Sequence, residues 1–239
     1  MTKLDILAIG VHPDDVELGC AGTLLRHIAA GYTVGICDLT MGQLGTKGSP
    51  ELRLEEAEAS RVLMGAKVRV NLGMEDGFFV HDEQHIRRIV EVIRTYKPTT
   101  VLANAIEDRH PDHGRAAKLI ADACFYAGLR KIQTTVNGQE QEAWRPSAVY
   151  HYIQDRNLKA DFVVDVTPYM EQKIACIMAF SSQFYNPADT GPKTPISGKD
   201  FMDAQRAKQR IYGRPIGVEY AEGFTSSRYI GVEDIMKLK

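Results

Sequence analysis

Through its first 130 residues the chain alternates short apolar runs with helix-length amphipathic stretches, and few folds accommodate that rhythm. Residues 4–10 read as a buried strand, 16–30 as a helix ended by Gly31, and 33–39 as the next strand. The glycine-containing loop 41–49 is long enough to serve a site rather than merely connect elements. Ser49 and Pro50 then supply an N-cap and a first-turn proline for a helix running to about Met64. Residues 68–72 and 100–103 read as strands, and 82–96 and 113–127 as helices. This alternation predicts an α/β fold, a Rossmann-like, mostly parallel sheet with helices on both faces.

After residue 130 the pattern loosens. Residues 147–152 and 162–165 read as strands, a helix opens at Thr167-Pro168 and reaches about Phe180, and 200–212 is a charged helix. Residues 219–224 are a candidate edge strand. Residues 183–198, with Pro187, Pro192 and Pro195, read as a mobile flap. No repeat, low-complexity tract or linker divides the chain. Residues 1–239 are therefore read as a single domain, with a parallel core carrying the site over 1–130 and strands, flap and helix over 131–239.

Two polar clusters stand where strands should emerge into loops. His12-Pro13-Asp14-Asp15 follows the first apolar run, and Arg109-His110-Pro111-Asp112-His113 follows the fourth. Open α/β sheets build binding sites at the carboxyl ends of strands, so the clusters meet if the first and fourth strands are neighbours. His12 and Asp15 are three positions apart across a proline-stiffened turn, as are His110 and His113. A hydrolytic zinc site takes three His, Asp or Glu ligands and keeps one position open. Four candidate ligands and two further carboxylates exceed that need and leave a base and an acid for chemistry. Adjacent residues diverge: Asp15 can ligate while Asp14 faces water, and His113 can ligate while His110 faces substrate, with Asp112 available to orient its ring. Either cluster alone reads equally well as a helix cap. Their co-occurrence at two strand ends is what points to a metal.

Composition narrows the partners. Lysine plus arginine (29) nearly balances aspartate plus glutamate (31), a net charge of −2. That gives neither a nucleic-acid footprint nor a polybasic membrane patch. No apolar stretch reaches the ~18 residues of a spanning helix, and no signal-peptide pattern is evident. Cys20, Cys37, Cys124 and Cys176 are scattered and suit small buried positions in a reducing compartment. The expectation is a cytoplasmic protein acting on a small molecule.

The HPDD and HPDH clusters, in that order, resemble those of the LmbE-like (PIG-L) zinc deacetylases. The likeness extends through a Thr-x-Gly-x-x-Gly-x-x-Gly loop from Thr40, then Arg53 and a helix bearing Glu56, Ala57 and Ala59. It covers roughly the first 130 residues well and the rest loosely. The resemblance implies removal of acetyl from an N-acetylglucosamine conjugate. Length and motif order are most similar to members acting on N-acetylglucosaminyl-malate in bacillithiol biosynthesis. It further implies one zinc per chain held by His12, Asp15 and His113. Asp14 would be the general base, and His110 paired with Asp112 the imidazolium that steadies the oxyanion and protonates the amine. A homo-oligomer is also implied. Gln43 stands where the family often has Glu, so it carries no assignment.

Arg53 and Arg109 are candidates for an anionic end of the substrate, because guanidinium forks match carboxylates. Arg53 reads equally as a partner for Glu55 or Glu56 on its own helix. His81 and His85, at helical spacing, mimic a metal pair but read as a solvated first turn. His27, His151 and Trp144 read as packing or surface residues, and Tyr185 as a flap anchor or a substrate cover. A phosphate-binding module without hydrolysis would want GxGxxG or GxxxxGK[ST] after the first strand, and neither is there. A two-metal phosphoesterase would need more ligands than the clusters offer.

Overall fold

A computed structural model describes residues 3–238. In chain order the elements are β1 (Ile6–Gly10), α1 (Asp15–Ala29), β2 (Val34–Thr40), α2 (Pro50–Met64), β3 (Val68–Met74), α3 (Glu83–Tyr96), β4 (Thr100–Ala103) and α4 (Pro111–Ala127). There follow a small hairpin, β5 (Thr135–Val136) with β6 (Gln139–Glu140), then β7 (Ala148–Tyr152), β8 (Phe162–Asp165), α5 (Met170–Met178), α6 (Lys199–Gly213) and β9 (Ala221–Thr225). Local chemistry sets several boundaries. Ser49 accepts from the Leu52 N–H at 3.2 Å to cap α2, and Asp82 accepts from the His85 N–H at 2.9 Å to cap α3.

Seven strands form one sheet in the order β3-β2-β1-β4-β7-β9-β8. Pairing is parallel from β3 across to β7, and β9 runs antiparallel to both its neighbours. β1 and β4 are adjacent, as the meeting of the two clusters requires, with Ile6, Leu7 and Ala8 opposite Thr100, Val101 and Leu102. From β1 the chain winds outward to β2 and β3, then returns to β4 on the other side. The switch point where α/β sheets open a crevice therefore lies between β1 and β4.

The sheet separates two apolar layers. Leu7, Ile9, Val101 and Ala103 pack against Ile89, Ile93, Leu119 and Ile120 of α3 and α4. Ile6, Ala8 and Ile36 pack against Cys20, Leu24 and Leu25 of α1. All four cysteines are free and buried. At the centre, Gly19 of α1 lies flat on Tyr152, whose hydroxyl donates to the Ile9 carbonyl at 3.1 Å. A Cβ at residue 19 would come within 2.2 Å of that ring.

The parallel half matches the expected elements to within a residue or two. One assignment is corrected: residues 219–224 were expected to give an edge strand, but β9 is enclosed between β7 and β8, and β8 is the edge. The last predicted helix of the middle segment is also shorter, because Thr167–Tyr169 forms a 3-10 turn before α5. Residues 183–198 contain no helix or strand. No helix among the described residues is long and apolar enough to cross a membrane.

Candidate functional site

The turn after β1 reverses sharply, since Asp15 N–H donates to the His12 carbonyl at 3.1 Å. Its cost falls on Asp14, at φ 138° and ψ −19°, a region an L residue rarely adopts. Asp15 then starts α1 with its carboxylate turned back. Oδ2 accepts from the N–H groups of Val11 and His12 and from Asn104 Nδ2, each at 3.0 Å, and Oδ1 accepts from Gln154 Nε2 at 2.7 Å. The second cluster arrives from β4. His113 Nε2 lies 3.2 Å from Asp15 Oδ1, and His12 Nδ1 lies 3.7 Å from Asp15 Oδ2.

His12, Asp15 and His113 are all buried, and each offers a ligand atom within 4.8 Å of the other two. Each imidazole is fixed by a carboxylate on its other nitrogen. Asp108 Oδ2 is 2.6 Å from His113 Nδ1, and Asp76 Oδ1 is 2.9 Å from His12 Nε2. Both braces are themselves held, Asp108 by the N–H groups of Asp155 and Arg156 and Asp76 by that of Leu44. This is how metal-binding histidines are usually oriented.

The electrostatics agree with a cation-binding donor set. Burial disfavours charge on His12, but hydrogen bonds to Asp15 and Asp76 outweigh it and push the ring up to about 9. His113, buried against Asp15 and Asp108, is pushed up to about 10. Burial would raise Asp15, yet His113 and His12 hold it well below the usual carboxylate range. The pocket thus stabilises positive charge among these three residues, and a divalent cation could replace the two imidazolium protons.

Asp14 and His110 line the same cavity, of about 330 Å³. Burial raises the Asp14 carboxyl to about 7, against the pull of Arg53. Arg53 Nη2 donates to Asp14 Oδ2 at 2.9 Å and to the Pro13 carbonyl at 2.7 Å. The guanidinium passes over Gly42, at φ 68°, where a Cβ would meet Arg53 Nη1 at 2.1 Å. Arg53 therefore engages neither Glu55 nor Glu56. Glu56 instead accepts from Ser181 and Ser182. His110 caps α4, its Nδ1 accepting from the Asp112 N–H at 3.3 Å.

The expected pairing of the His110 ring with the Asp112 carboxylate does not form. That carboxylate accepts from Gly77 N–H and Arg115 and sits 3.8 Å from His12 Nε2. Burial, then the nearby His12 and His113, lowers the His110 pKa, so its ring is neutral near pH 7. Arg109 lines the cavity rim and pairs with Asp155 at 2.5 Å, leaving its terminal nitrogens without a protein partner among the described residues. Gln43 braces its loop, bridging the Met41 N–H and the Met74 carbonyl.

The remaining histidines stay apart from the site: His81 pairs with Asp122, His85 with Asp82, and His27 and His151 with backbone carbonyls. Tyr185 does not line the cavity, although Gln183, Thr194, Pro195 and Ile196 of the flap do. The sequence reading missed Asp76, Asn104, Asp108 and Gln154. Asp76 and Asn104 follow the carboxyl ends of β3 and β4, the rule that singled out the two clusters, so position was the available signal.

The PIG-L family model, described as GlcNAc-PI de-N-acetylase, matches residues 7–124. Diacetylchitobiose deacetylase of Thermococcus kodakarensis is 29% identical over 230 residues, 91% of this chain and 81% of the relative. A 4-oxalmesaconate hydratase of Pseudomonas putida is 24% identical over 193 residues, 74% of this chain and 73% of that one. The crystal structure of the conserved protein TT1542 from Thermus thermophilus superposes with a TM-score of 0.84 at 35% identity, covering 96% of this chain and 98% of that chain. Matched by the family's model through both strand-end clusters and by a solved structure along nearly its whole length, the chain belongs to the PIG-L (LmbE-like) family.

Proposed function

We propose that the protein is a zinc-dependent carbohydrate N-deacetylase that hydrolyses the acetamide of an N-acetylglucosamine conjugate, with malate as the conjugated group. One observation carries the reading: His113 Nε2 lies 3.2 Å from Asp15 Oδ1, with Asp14 and His110 lining the same cavity. His12, Asp15 and His113 would hold the zinc, which when bound supplies Lewis-acid activation of water and of the amide carbonyl. Asp14, whose carboxyl burial raises to about 7 against the pull of Arg53, takes a proton from the attacking water when it is ionised. The His110 ring, neutral at rest, steadies the developing oxyanion, and the proton that Asp14 has taken from water is returned to the departing amine by way of His110, which restores both groups. Asp112 positions this apparatus through His12 and the loop at Gly77 rather than through the His110 ring. Arg109 is the candidate for the malate carboxylates, because its fork is half exposed at the rim. A cavity of about 330 Å³ suits one sugar ring and a small aglycone. The family membership and the diacetylchitobiose deacetylase relative support the reaction class. We further propose a cytoplasmic setting and a small-molecule partner, with no part played by nucleic acid or membrane.

The test is acetate release by the zinc-loaded protein from N-acetylglucosaminyl-malate, N,N'-diacetylchitobiose and free N-acetylglucosamine. Turnover should be fastest on the malate conjugate. Faster turnover on the disaccharide would remove malate from the proposal, and no acetate from any of them would remove deacetylation. Because one relative bears the name of a hydratase, 4-oxalmesaconate serves as the control substrate, and it should be left unchanged.

A further inference from the structure

A second cavity opens at the other end of the sheet. The metal-site cluster stands beyond the carboxyl ends of β1 and β4, whereas this cavity is reached past Asp5 and Thr100, where the same two strands begin. α4 covers β4 and β7 on one face. On the other face Leu102, Tyr150, Phe162 and Phe224 line a space of about 330 Å³, within the size range of small-molecule sites. The aromatic wall is ordered: Tyr150 meets Phe162 edge to face with centroids 4.9 Å apart, and Phe162 stacks on Phe224 at 5.1 Å. Polar capacity is left over around it. Thr23, on the wall and only 4% exposed, has a hydroxyl with no hydrogen-bond partner among the described residues. His27, also on the wall, donates from Nδ1 to the Thr23 carbonyl at 2.7 Å, which leaves Nε2 of the neutral ring as an acceptor. That nitrogen and the Tyr150 hydroxyl have no partner among the described residues either.

We infer that this cavity is a second ligand site, and that it takes a small uncharged aromatic ring carrying an N–H or O–H donor, of about the size of phenol or indole. Charge is the first argument. No lysine or arginine lines the cavity, and Asp5 stands at its mouth, so an anionic ligand would meet a like charge and no counter-ion. Hydrogen bonding is the second. His27 Nε2 and the Asp5 carboxylate accept, so the ligand they hold must donate. The third is the wall itself. A ring entering beside Tyr150 and Phe162 extends an aromatic series already packed edge to face and face to face. A sugar fits worse, because several of its hydroxyls would be buried against Leu102, Phe162 and Phe224, which offer them no partner. Since the cavity and the metal-site cluster sit at opposite ends of β1 and β4, a ligand here neither blocks nor joins the reacting groups.

The test is calorimetric titration of the zinc-loaded full chain with indole, beside benzoate, methyl β-D-glucopyranoside and the variant Thr100→Phe, whose new ring would fill the mouth of the cavity. Indole should saturate one site per chain. Benzoate, the same kind of ring with a negative charge, and the glucoside should each bind at least about tenfold more weakly, and so should indole to Thr100→Phe. No saturable binding of indole overturns the inference. So does benzoate or the glucoside binding as tightly as indole, or a Thr100→Phe variant that binds indole as the parent does. If that variant does not fold, nuclear Overhauser contacts on the parent decide. Contacts from the indole protons to Tyr150 and Phe162 support the site, and contacts only to residues elsewhere overturn it.

Discussion

At the scale of single residues, strain and charge meet at Asp14. Its backbone conformation costs an aspartate roughly 1–3 kcal/mol, so the surrounding structure must hold it there. Arg53 does so through Pro13 and the Asp14 carboxylate. Asp14→Asn keeps the shape but not the basicity. Metal content should stay at the parental stoichiometry while kcat for acetate release falls about 10²–10⁴-fold, read by metal analysis beside steady-state kinetics. His113→Ala should instead lose the metal. Arg53→Met removes the cation that opposes the upward pull of burial on Asp14. Its carboxyl then rises further above the ordinary range, and the acid limb of the rate profile should move to higher pH. An unmoved limb, with only KM raised, would make Arg53 a substrate contact. The meeting of His12, Asp15 and His113 was legible because the pairs His12/Asp15 and His110/His113 each sit three positions apart across a proline. Asp76, Asp108, Asn104 and Gln154 were not, since none belongs to such a spaced pair: Asp76 follows β3, Asn104 and Asp108 follow β4, and Gln154 follows β7. The His110–Asp112 pairing failed because the α4 N-terminus turns the Asp112 carboxylate toward Gly77 and Arg115.

At the scale of elements, a buried ion pair ties the second half of the chain to the first. Lys173 of α5 and Glu222 of β9 are both wholly enclosed, with Nζ 2.5 Å from Oε1. Glu222 also accepts from the Gly22 and Thr23 N–H groups of α1, and Lys173 donates to the Leu18 carbonyl. The pair thus makes polar contacts along α1, whose N-terminal residue is the Asp15 of the site. Removing one partner strands a charge in the interior, which typically costs 3–5 kcal/mol. Lys173→Met should lower stability to denaturant by about that much, and adding Glu222→Gln should recover part of it. A single variant as stable as the parent would show that α1 does not depend on the pair. The same pair explains the misread strand. Glu222, within residues 219–224, is buried and paired with a lysine 49 residues away that no local pattern reveals. The central strands β1 and β4 were legible because burial leaves apolar runs unbroken by charge. The antiparallel end mixes buried charge with apolar residues and hides its order.

At the scale of the whole molecule, α6 packs over β9 and β8 and encloses a further amine. Lys208 Nζ is buried and, among the described residues, has no hydrogen-bond partner. Burial pulls it down from 10.5 to about 8, with Asp108 and Asp155 opposing. The consequence for stability has a definite sign. Below about pH 8 the lysine is charged in both states, and the folded protein bears the full cost of enclosing an ammonium. Between about 8 and 10.5 the unfolded chain still holds the proton that the folded chain has released, so stability contributed by this group rises with pH. Above that window both states are neutral and the gain is complete, at roughly 3 kcal/mol. Lys208→Met removes the titrating group. The difference in unfolding free energy between variant and parent should therefore be largest near pH 7 and shrink steadily toward pH 10.5. Taking the difference cancels the tyrosines and buried thiols that titrate in the same range. A difference that stayed constant across the window would mean that the Lys208 amine keeps contact with water and that the α6 layer is looser than its packing indicates.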